Sequence, residues 1–423
     1  MYEGTNLYKN RLQKPKSSGK PKEITNNEQD EKRKARMINM KQVKHKTLTL
    51  HIGTEKTGSS SIQKFLKTNQ KLLSESGTEI PKTLGDGIHY KLQLMANSDE
   101  FQDDFLRNLG LHRDMDKRKK AIAQWRKEFK DEIDNSTAMN WIISCETLHS
   151  RLTTEEEIEK LKTILEPLFE IINVLVYLRN PVELITSRAN EYVKSGFILE
   201  IPKPAEQQGF DICNHEHTIK TWRNRIGQGE FMPRLFDRSF LKNKDLIDDF
   251  CSCCKIDRSK LIDIQRQNSS MPYYCAKLIS EVNRYVPRRW VDGTLIKSRW
   301  ELVNLMRKTL KSGSVLQAED KTIETYRKYY QASNEWVRKK FFQDRKNLFE
   351  NDCTQKINEE GLSNVQFEEI GKLISIVWMR KNAKINQLQA QVEYLESELN
   401  ECKRVTPIKR EMPSTNPRDY FDC

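Results

Sequence analysis

The stretch Leu48-Thr-Leu-His-Ile-Gly-Thr-Glu-Lys-Thr-Gly-Ser-Ser-Ser-Ile-Gln-Lys-Phe-Leu66 predicts a strand, a loop and the start of a helix. Its first five residues alternate between apolar and polar side chains, a pattern typical of a strand. From Ser61 onward the apolar residues follow helical spacing. The loop between Gly53 and Gly58 is followed by three serines. Because such a loop and a helix N-terminus direct backbone N–H groups at one point, the stretch predicts an anion-binding site.

The charge of this loop comes from Lys56, and the serines after it add short hydroxyl donors. Gly53 and Gly58 have the spacing of the nucleotide-binding loop Gly-x-x-x-x-Gly-Lys-Ser/Thr. However, Ser59 occupies the position of the lysine that is most diagnostic of that loop. The sequence therefore disfavours an ordinary ATPase or GTPase. A glycine- and serine-rich turn without a ligand stays open as an alternative, since lone glycine loops are weak signals.

Three apolar segments separated by helical patterns predict an α/β domain with a parallel β-sheet flanked by helices. The segments are Leu48–Ile52, Trp141–Cys145 and Ile171–Leu178. Ligands of such sheets bind at the carboxyl ends of the strands. The glycine loop, Glu146 and Arg179 all follow the ends of predicted strands, so we expect them to lie close together.

Two motifs resemble the sulfotransferases that use 3′-phosphoadenosine 5′-phosphosulfate as donor. Lys-Thr-Gly-Ser-Ser-Ser from Lys56 to Ser61 is similar to their 5′-phosphosulfate loop, and Arg179 with Ser187 is similar to their 3′-phosphate motif. A guanidinium fork and a hydroxyl suit a phosphate dianion. The alternative is that Arg179 pairs with a nearby carboxylate and Ser187 is incidental. The resemblance to the bacterial-type family covers about residues 47–350 and is weaker in its later segments, among them Gln267–Pro272.

The resemblance implies a P-loop NTPase-like sulfotransferase fold and the roles of the residues in both motifs. Lys56 would stabilise the negative charge that develops on the phosphate oxygens as their bond to sulfur breaks. The 5′-phosphate would be held by Thr57, Gly58, Ser59, Ser60 and Ser61. Arg179 and Ser187 would hold the 3′-phosphate, and Lys194 and Gly196 are weaker candidates for ordering donor or acceptor. No metal is needed if lysine and N–H groups carry the developing charge.

A base must take the proton of the acceptor, and two residues are candidates. His89 lies between the first helix and the second strand, and an unshifted imidazole suits the task. Glu146 follows the second strand at the expected active edge. The acceptor itself is not specified, and the wider family suggests a glycan or a lipid-linked sugar. The alternatives are another phosphate-loop enzyme, such as a nucleotide kinase, and a non-catalytic coiled-coil interaction protein.

The chain has 423 residues, a net charge of +13, and 31% charged residues. This balance favours anionic partners, but nucleic acid is disfavoured because aromatic residues are not interleaved with basic ones in a recognisable reading module. Nine cysteines show no disulfide pattern, and Cys251-Ser-Cys-Cys254 lacks a second Cys/His pair at zinc spacing. We therefore expect free thiols and no metal site. No secretory signal or membrane span is visible, so we expect a soluble, cytoplasmic protein.

Composition divides the chain into four segments. They are a basic tail expected to be disordered (1–46), the α/β domain (47–350), a helical coiled-coil extension (351–404) and a flexible C-terminus (405–423). The third segment carries apolar residues at the a and d positions of a heptad repeat, namely Ile385, Leu388, Val392, Leu395, Leu399 and Cys402. We expect a homo-oligomer through a coiled coil; a helix that folds back on its own domain is the alternative.

Overall fold

A computed structural model describes residues 46–204, 211–223, 225–226, 228–264, 271–290, 295–349 and 362–405. Most of the basic tail, most of the segment from Gln267 to Pro272, the first part of the helical extension and nearly all of the C-terminal segment lie outside the described residues. The expectations for those segments stay predictions.

Five strands form one sheet in the order β2-β3-β1-β4-β5, and every neighbouring pair is parallel. The strands are β1 (Thr47–Gly53), β2 (Thr78–Glu79), β3 (Asn140–Ser144), β4 (Ile171–Leu178) and β5 (Phe231–Leu235). The predicted α/β class with a parallel sheet and flanking helices is therefore confirmed. Strand β2 was missed because two residues give no periodicity to read.

Helices connect the strands and cover both faces of the sheet. They are α1 (Ser59–Thr68), α2 (Gln70–Glu75), α3 (Tyr90–Ala96), α4 (Asp104–Asn108), α5 (Met115–Asn135), α6 (Thr147–Arg151), α7 (Glu155–Leu165), α8 (Pro181–Lys194), α9 (His215–Arg223), α10 (Leu246–Cys253), α11 (Tyr273–Tyr285), α12 (Lys297–Thr309), α13 (Asp320–Phe341) and α14 (Asn364–Val405). Short 3₁₀ turns lie at Lys242–Lys244 and Arg258–Lys260.

The two faces of the sheet are buried in two different apolar clusters, as the period of two along a strand requires. Along β4, Val174 and Val176 belong to the cluster that includes residues of α5, α7, α9 and α13. Leu175 and Tyr177 belong to the other cluster, which includes residues of α1 and α10. Because both faces are covered, β3 and β4 are almost continuously apolar, whereas β1 between them also carries the buried polar side chains Thr49 and His51.

The passage from β4 to α8 is fixed by local capping. Strand β4 ends at Leu178, and the Asn180 side chain accepts a hydrogen bond from the Val182 N–H at 3.0 Å. Pro181 occupies the first helical position, where its missing N–H costs nothing. Arg179 is thus held between the end of a central strand and the start of a helix, at the edge of the sheet where ligands bind.

The long helix α14 confirms that a C-terminal helix follows the domain, and its pairing as a coiled coil stays a prediction. Its N-terminal part is packed into the domain: Leu373 is buried beside Val303, Met306 and Leu310 of the α12 region. Glu369 accepts hydrogen bonds from the Tyr274 hydroxyl and from the Ser312 hydroxyl. Its C-terminal part is exposed. Within the described ranges, no helix is long and apolar enough to cross a membrane.

Candidate active site

A cleft of about 1090 Å³ opens at the carboxyl ends of the central strands. It is lined by the loop between β1 and α1, by α6, by α8, by the residues after β5 and by α12. The structure brings most of the predicted site residues to this one cleft, namely Lys56, Gly58, Ser59, Ser60, Glu146, Arg179 and Ser187. Thr57, Ser61 and His89 do not line it.

The loop reaches the start of α1 through two residues in the left-handed region. Lys56 has a φ of 63° and Gly58 a φ of 81°. The φ of Gly58 favours glycine, and a Cβ added there would lie 2.3 Å from Leu246 Cδ2, so the Leu246 side chain would have to shift. The first N–H groups of a helix have no acceptor within the helix. Those of Ser59 and Ser60, immediately after Gly58, are therefore suited to an anion in the cleft.

The hydroxyl groups of the loop divide into two kinds. Thr57 is fully buried, and its hydroxyl donates to the Thr54 carbonyl at 2.6 Å. The Ser59 hydroxyl reaches the same carbonyl at 3.4 Å. Ser60, in contrast, is exposed at the wall of the cleft. Thr57 therefore stabilises the loop through its side chain, and its hydroxyl is turned away from the cleft.

Lys56 forms an ion pair across the cleft with helix α8. Its Nζ lies 3.1 Å from Glu191 Oε2, and Lys194 Nζ lies 2.9 Å from the same oxygen. Burial by itself would raise the pKa of Glu191, but the two ammonium groups outweigh it and lower that pKa to about 2. The Glu191 carboxylate is therefore ionised at any physiological pH, and it holds the two lysines near one point.

Arg179 contacts both a carboxylate and the loop. Its Nε donates to Glu183 Oε2 at 3.2 Å, and its Nη1 donates to the Lys56 carbonyl at 2.7 Å. The guanidinium also lies 5.4 Å from the centre of the Phe236 ring, within the range of a cation–π contact. The pairing with a carboxylate, left open by the sequence, is thus present. It does not remove Arg179 from the cleft, which Ser187 also lines from two turns further along α8.

Glu146 lies just beyond the end of β3, against the loop. The Gln63 amide donates a hydrogen bond to its carboxylate, and an added Cβ on Gly53 would be 3.1 Å from Glu146 Cα. Burial raises the pKa of the Glu146 carboxyl, with a smaller contribution from the negative charge of Glu55. A carboxylate with a raised pKa is a better proton acceptor than an ordinary one.

His89 lies outside the cleft, and the structure does not bring it together with the other predicted site residues. It is buried before α3, and its Nδ1 accepts a hydrogen bond from the Ser144 N–H at 2.9 Å. Burial lowers its pKa to about 4, so the imidazole is neutral. It borders a separate small cavity of about 100 Å³ beside Lys67.

Several charged residues of the cleft were missed by the sequence analysis. Glu191 follows Ser187 by one helical turn, so helical spacing from the predicted Ser187 could have found it. Lys194, noted only as a weak candidate, lies on the same face. Arg188 and Arg307 also line the cleft, and Arg307 comes from α12, more than a hundred residues away in sequence. No local pattern connects that arginine with the loop.

The cysteine cluster at the end of α10 does not line the cleft. The cysteines of this cluster form no disulfide among the described residues, and burial raises the pKa of Cys251 to about 12 and that of Cys253 to about 11. Such thiols are protonated and poor metal ligands. In the described part of the chain, no three or more His, Cys, Asp or Glu side chains form a group that could hold a metal ion.

Comparison with known proteins adds little to this geometry. No protein-family model matches the chain, and no curated protein sequence matches it. Among solved structures, the chain is similar to a sulfotransferase from Alicyclobacillus acidocaldarius, with 14% sequence identity and a TM-score of 0.33. The match covers 60% of this chain and 95% of that one. A likeness at this level does not place the chain in a family.

Gly58→Ala tests whether the loop needs this backbone conformation. We expect it to lower the free energy of unfolding by roughly 2–4 kcal/mol, since the left-handed φ costs about 1–2 kcal/mol and the clash with Leu246 adds to it. Gly77→Ala is the matched control, because Gly77 has a φ of 84° and nothing within 4 Å of an added Cβ. Urea unfolding of both variants measures the difference. Equal losses would mean that the space beside Leu246 does not constrain the loop.

Proposed function

We propose that this chain is a sulfotransferase that transfers a sulfuryl group from 3′-phosphoadenosine 5′-phosphosulfate to a hydroxyl or amine of an acceptor. The observation that supports the proposal is that the two motifs with a predicted phosphate-binding role line one cleft. One is the glycine loop with Lys56 at the start of α1, and the other is Arg179 with Ser187. A single anion would need only the first; a donor with phosphates at two positions needs both.

The donor is proposed to bind with its 5′-phosphosulfate at the loop. There the N–H groups of Ser59 and Ser60 face the phosphate, and Lys56 neutralises charge on the leaving oxygen. The 3′-phosphate is proposed to lie at Ser187 and the Arg179 guanidinium. Among the described residues, Arg179 uses Nε and Nη1 for protein contacts, so Nη2 is available to the ligand. Such a site works by positioning and electrostatic stabilisation, and no metal enters the proposal.

Glu146 is proposed as the base. It takes the proton of the acceptor hydroxyl while the acceptor oxygen bonds to sulfur and the bond from sulfur to the phosphate oxygen breaks. The products are a sulfated acceptor and adenosine 3′,5′-bisphosphate. Glu146 is preferred over His89 because it lines the cleft and has a raised pKa, whereas the His89 imidazole is buried elsewhere. The family resemblance suggests a glycan or a lipid-linked sugar as the acceptor.

Donor selectivity tests the proposal as a whole. We expect adenosine 3′,5′-bisphosphate to bind far more tightly than ATP, because only the former matches both arrangements. Calorimetry with the two ligands, with and without magnesium, measures this. A preference for ATP with magnesium would instead support the phosphate-loop enzyme alternative, and binding of neither ligand would leave only the non-catalytic interaction protein.

Arg179→Ala tests the assignment of the 3′-phosphate. A charge-assisted contact is worth roughly 1.5–3 kcal/mol, so affinity for adenosine 3′,5′-bisphosphate should fall about tenfold to a hundredfold. The control ligand is adenosine 5′-monophosphate, which lacks the 3′-phosphate. Its affinity should fall much less, since only the support of the Lys56 carbonyl is lost. If both ligands lose affinity equally, Arg179 acts through the loop and not on the 3′-phosphate.

Glu146→Gln tests the base. The amide keeps the size of the side chain and its contact with Gln63, so donor affinity should be nearly unchanged while single-turnover transfer slows by roughly two to four orders of magnitude. The wild-type rate should also fall as the pH drops through the raised pKa of Glu146, because the base must be deprotonated. If the Glu146→Gln variant still loses rate at low pH in the same way, that fall in rate belongs to the titration of another group.

The exposed part of α14 is proposed to pair with that of a second copy. Ile385 and Val392 stand at a positions and Leu388 and Leu395 at d positions, a combination that favours parallel two-stranded coiled coils. These side chains are uncovered in the chain alone: Ile385 is 49% exposed and Leu395 is 61% exposed. A parallel pair in register would place the two Cys402 residues, at d, side by side.

Removal of the heptads tests this pairing. A chain ending at residue 384 keeps Glu369 and Leu373, so it should stay folded, but it should have half the mass of the full chain by light scattering. Mild oxidation of the full chain should cross-link two copies through Cys402, and Cys402→Ser should abolish the cross-link. An unchanged mass after truncation would mean that the heptads do not join copies of the chain.

A further inference from the structure

A carboxylate stands in a cleft that is otherwise suited to anions. Glu191 lies on α8 one turn after Ser187, and its Oε2 accepts hydrogen bonds from both Lys56 and Lys194. Its side chain is 46% exposed, so its charge faces the cleft. A donor with several negative charges would be repelled by an isolated carboxylate at this position. The two lysines at Glu191 Oε2 offset this repulsion.

The backbone and the side chain of Lys56 are held separately. The backbone is in the left-handed region, and its carbonyl accepts from Arg179 at 2.7 Å. The flexible side chain is directed away from the loop to Glu191 on α8. The ammonium group that the proposed reaction needs is thus paired with a carboxylate of the protein.

We propose that Glu191 is a positioning residue that holds Lys56 until the donor draws its ammonium onto the phosphosulfate. Lys194 then keeps Glu191 paired after Lys56 has moved. This inference rests on the proposed function and extends it to a residue outside both motifs. The exchange leaves no lone carboxylate facing the donor, because Lys194 Nζ is already 2.9 Å from Glu191 Oε2. It also makes the placement of the Lys56 ammonium depend on donor binding.

A purely structural role for Glu191 predicts different behaviour. If the ion pair only fastened the loop to α8, its loss would loosen the loop and weaken binding of any anion there. If Glu191 competes with the donor for Lys56, its loss should strengthen donor binding, and only while Lys56 is present. Donor affinity in a double-mutant cycle therefore distinguishes the two roles.

Glu191→Gln is the variant to measure, with calorimetry of adenosine 3′,5′-bisphosphate at low ionic strength. We expect affinity to rise about two- to fivefold, the range that a partly exposed ion pair allows, and the gain to shrink in salt. The control for the change in net charge is Glu324→Gln, because Glu324 is exposed on α13 and does not line the cleft. In a Lys56→Met background, Glu191→Gln should change affinity no more than this control does.

Weaker binding by Glu191→Gln, or an equal gain in the Lys56→Met background, would overturn the inference. Glu191→Asp is the second variant; its shorter side chain keeps the charge but not the reach to Lys56, so its affinity should fall between those of wild type and Glu191→Gln. A wild-type protein that binds no adenosine 3′,5′-bisphosphate overturns the proposed function and this inference with it. Binding by wild type with the same affinity in Glu191→Gln overturns the inference alone.

Discussion

The Tyr177 carbonyl, near the end of β4, accepts two hydrogen bonds from Thr54: one from its N–H at 3.2 Å and one from its hydroxyl at 3.1 Å. These bonds fasten the loop after β1 to the neighbouring strand. The Thr54 carbonyl in turn accepts the Thr57 hydroxyl, which places Gly58 at the start of α1. Because β4 continues directly into Arg179, the same strand that holds the loop also supplies the guanidinium that contacts the Lys56 carbonyl. The site is thus built from two adjacent parallel strands whose ends are bonded to each other.

The parts of the protein that could be predicted are those that depend on patterns among residues close together in the sequence. The apolar runs of β3 and β4 reflect a sheet that is covered on both faces, β1 shows an alternation of apolar and polar residues, and the glycine spacing of the loop is a local pattern. What could not be predicted depends on contacts between distant segments. Arg307 reaches the cleft from α12, and the position of His89 beside the last residue of β3 is set by its hydrogen bond with the Ser144 N–H. No spacing in the sequence encodes either contact.

The net charge of +13 says little about the site, where carboxylates and cations alternate. Glu55 accepts the Ser150 hydroxyl at 2.6 Å and lies 3.9 Å from Arg188 Nε, while Glu183 is paired with Arg179. A cleft in which most cations already have a partner attracts anions less strongly than an unpaired basic patch would. It also discriminates more, since a ligand must replace those partners at the right places.

Helix α14 joins two environments in one continuous element. Its near end is locked by Glu369 and Leu373 to the segments around α11 and α12, and α12 carries Arg307 at the wall of the cleft. At 1.5 Å per residue, Cys402 lies about 40 Å along the helix from Leu373. A rod of this length, anchored in the domain at its near end and exposed beyond it, has the geometry of a lever arm. A load at its far end would therefore act through Glu369 and Leu373 on the segments that these residues contact.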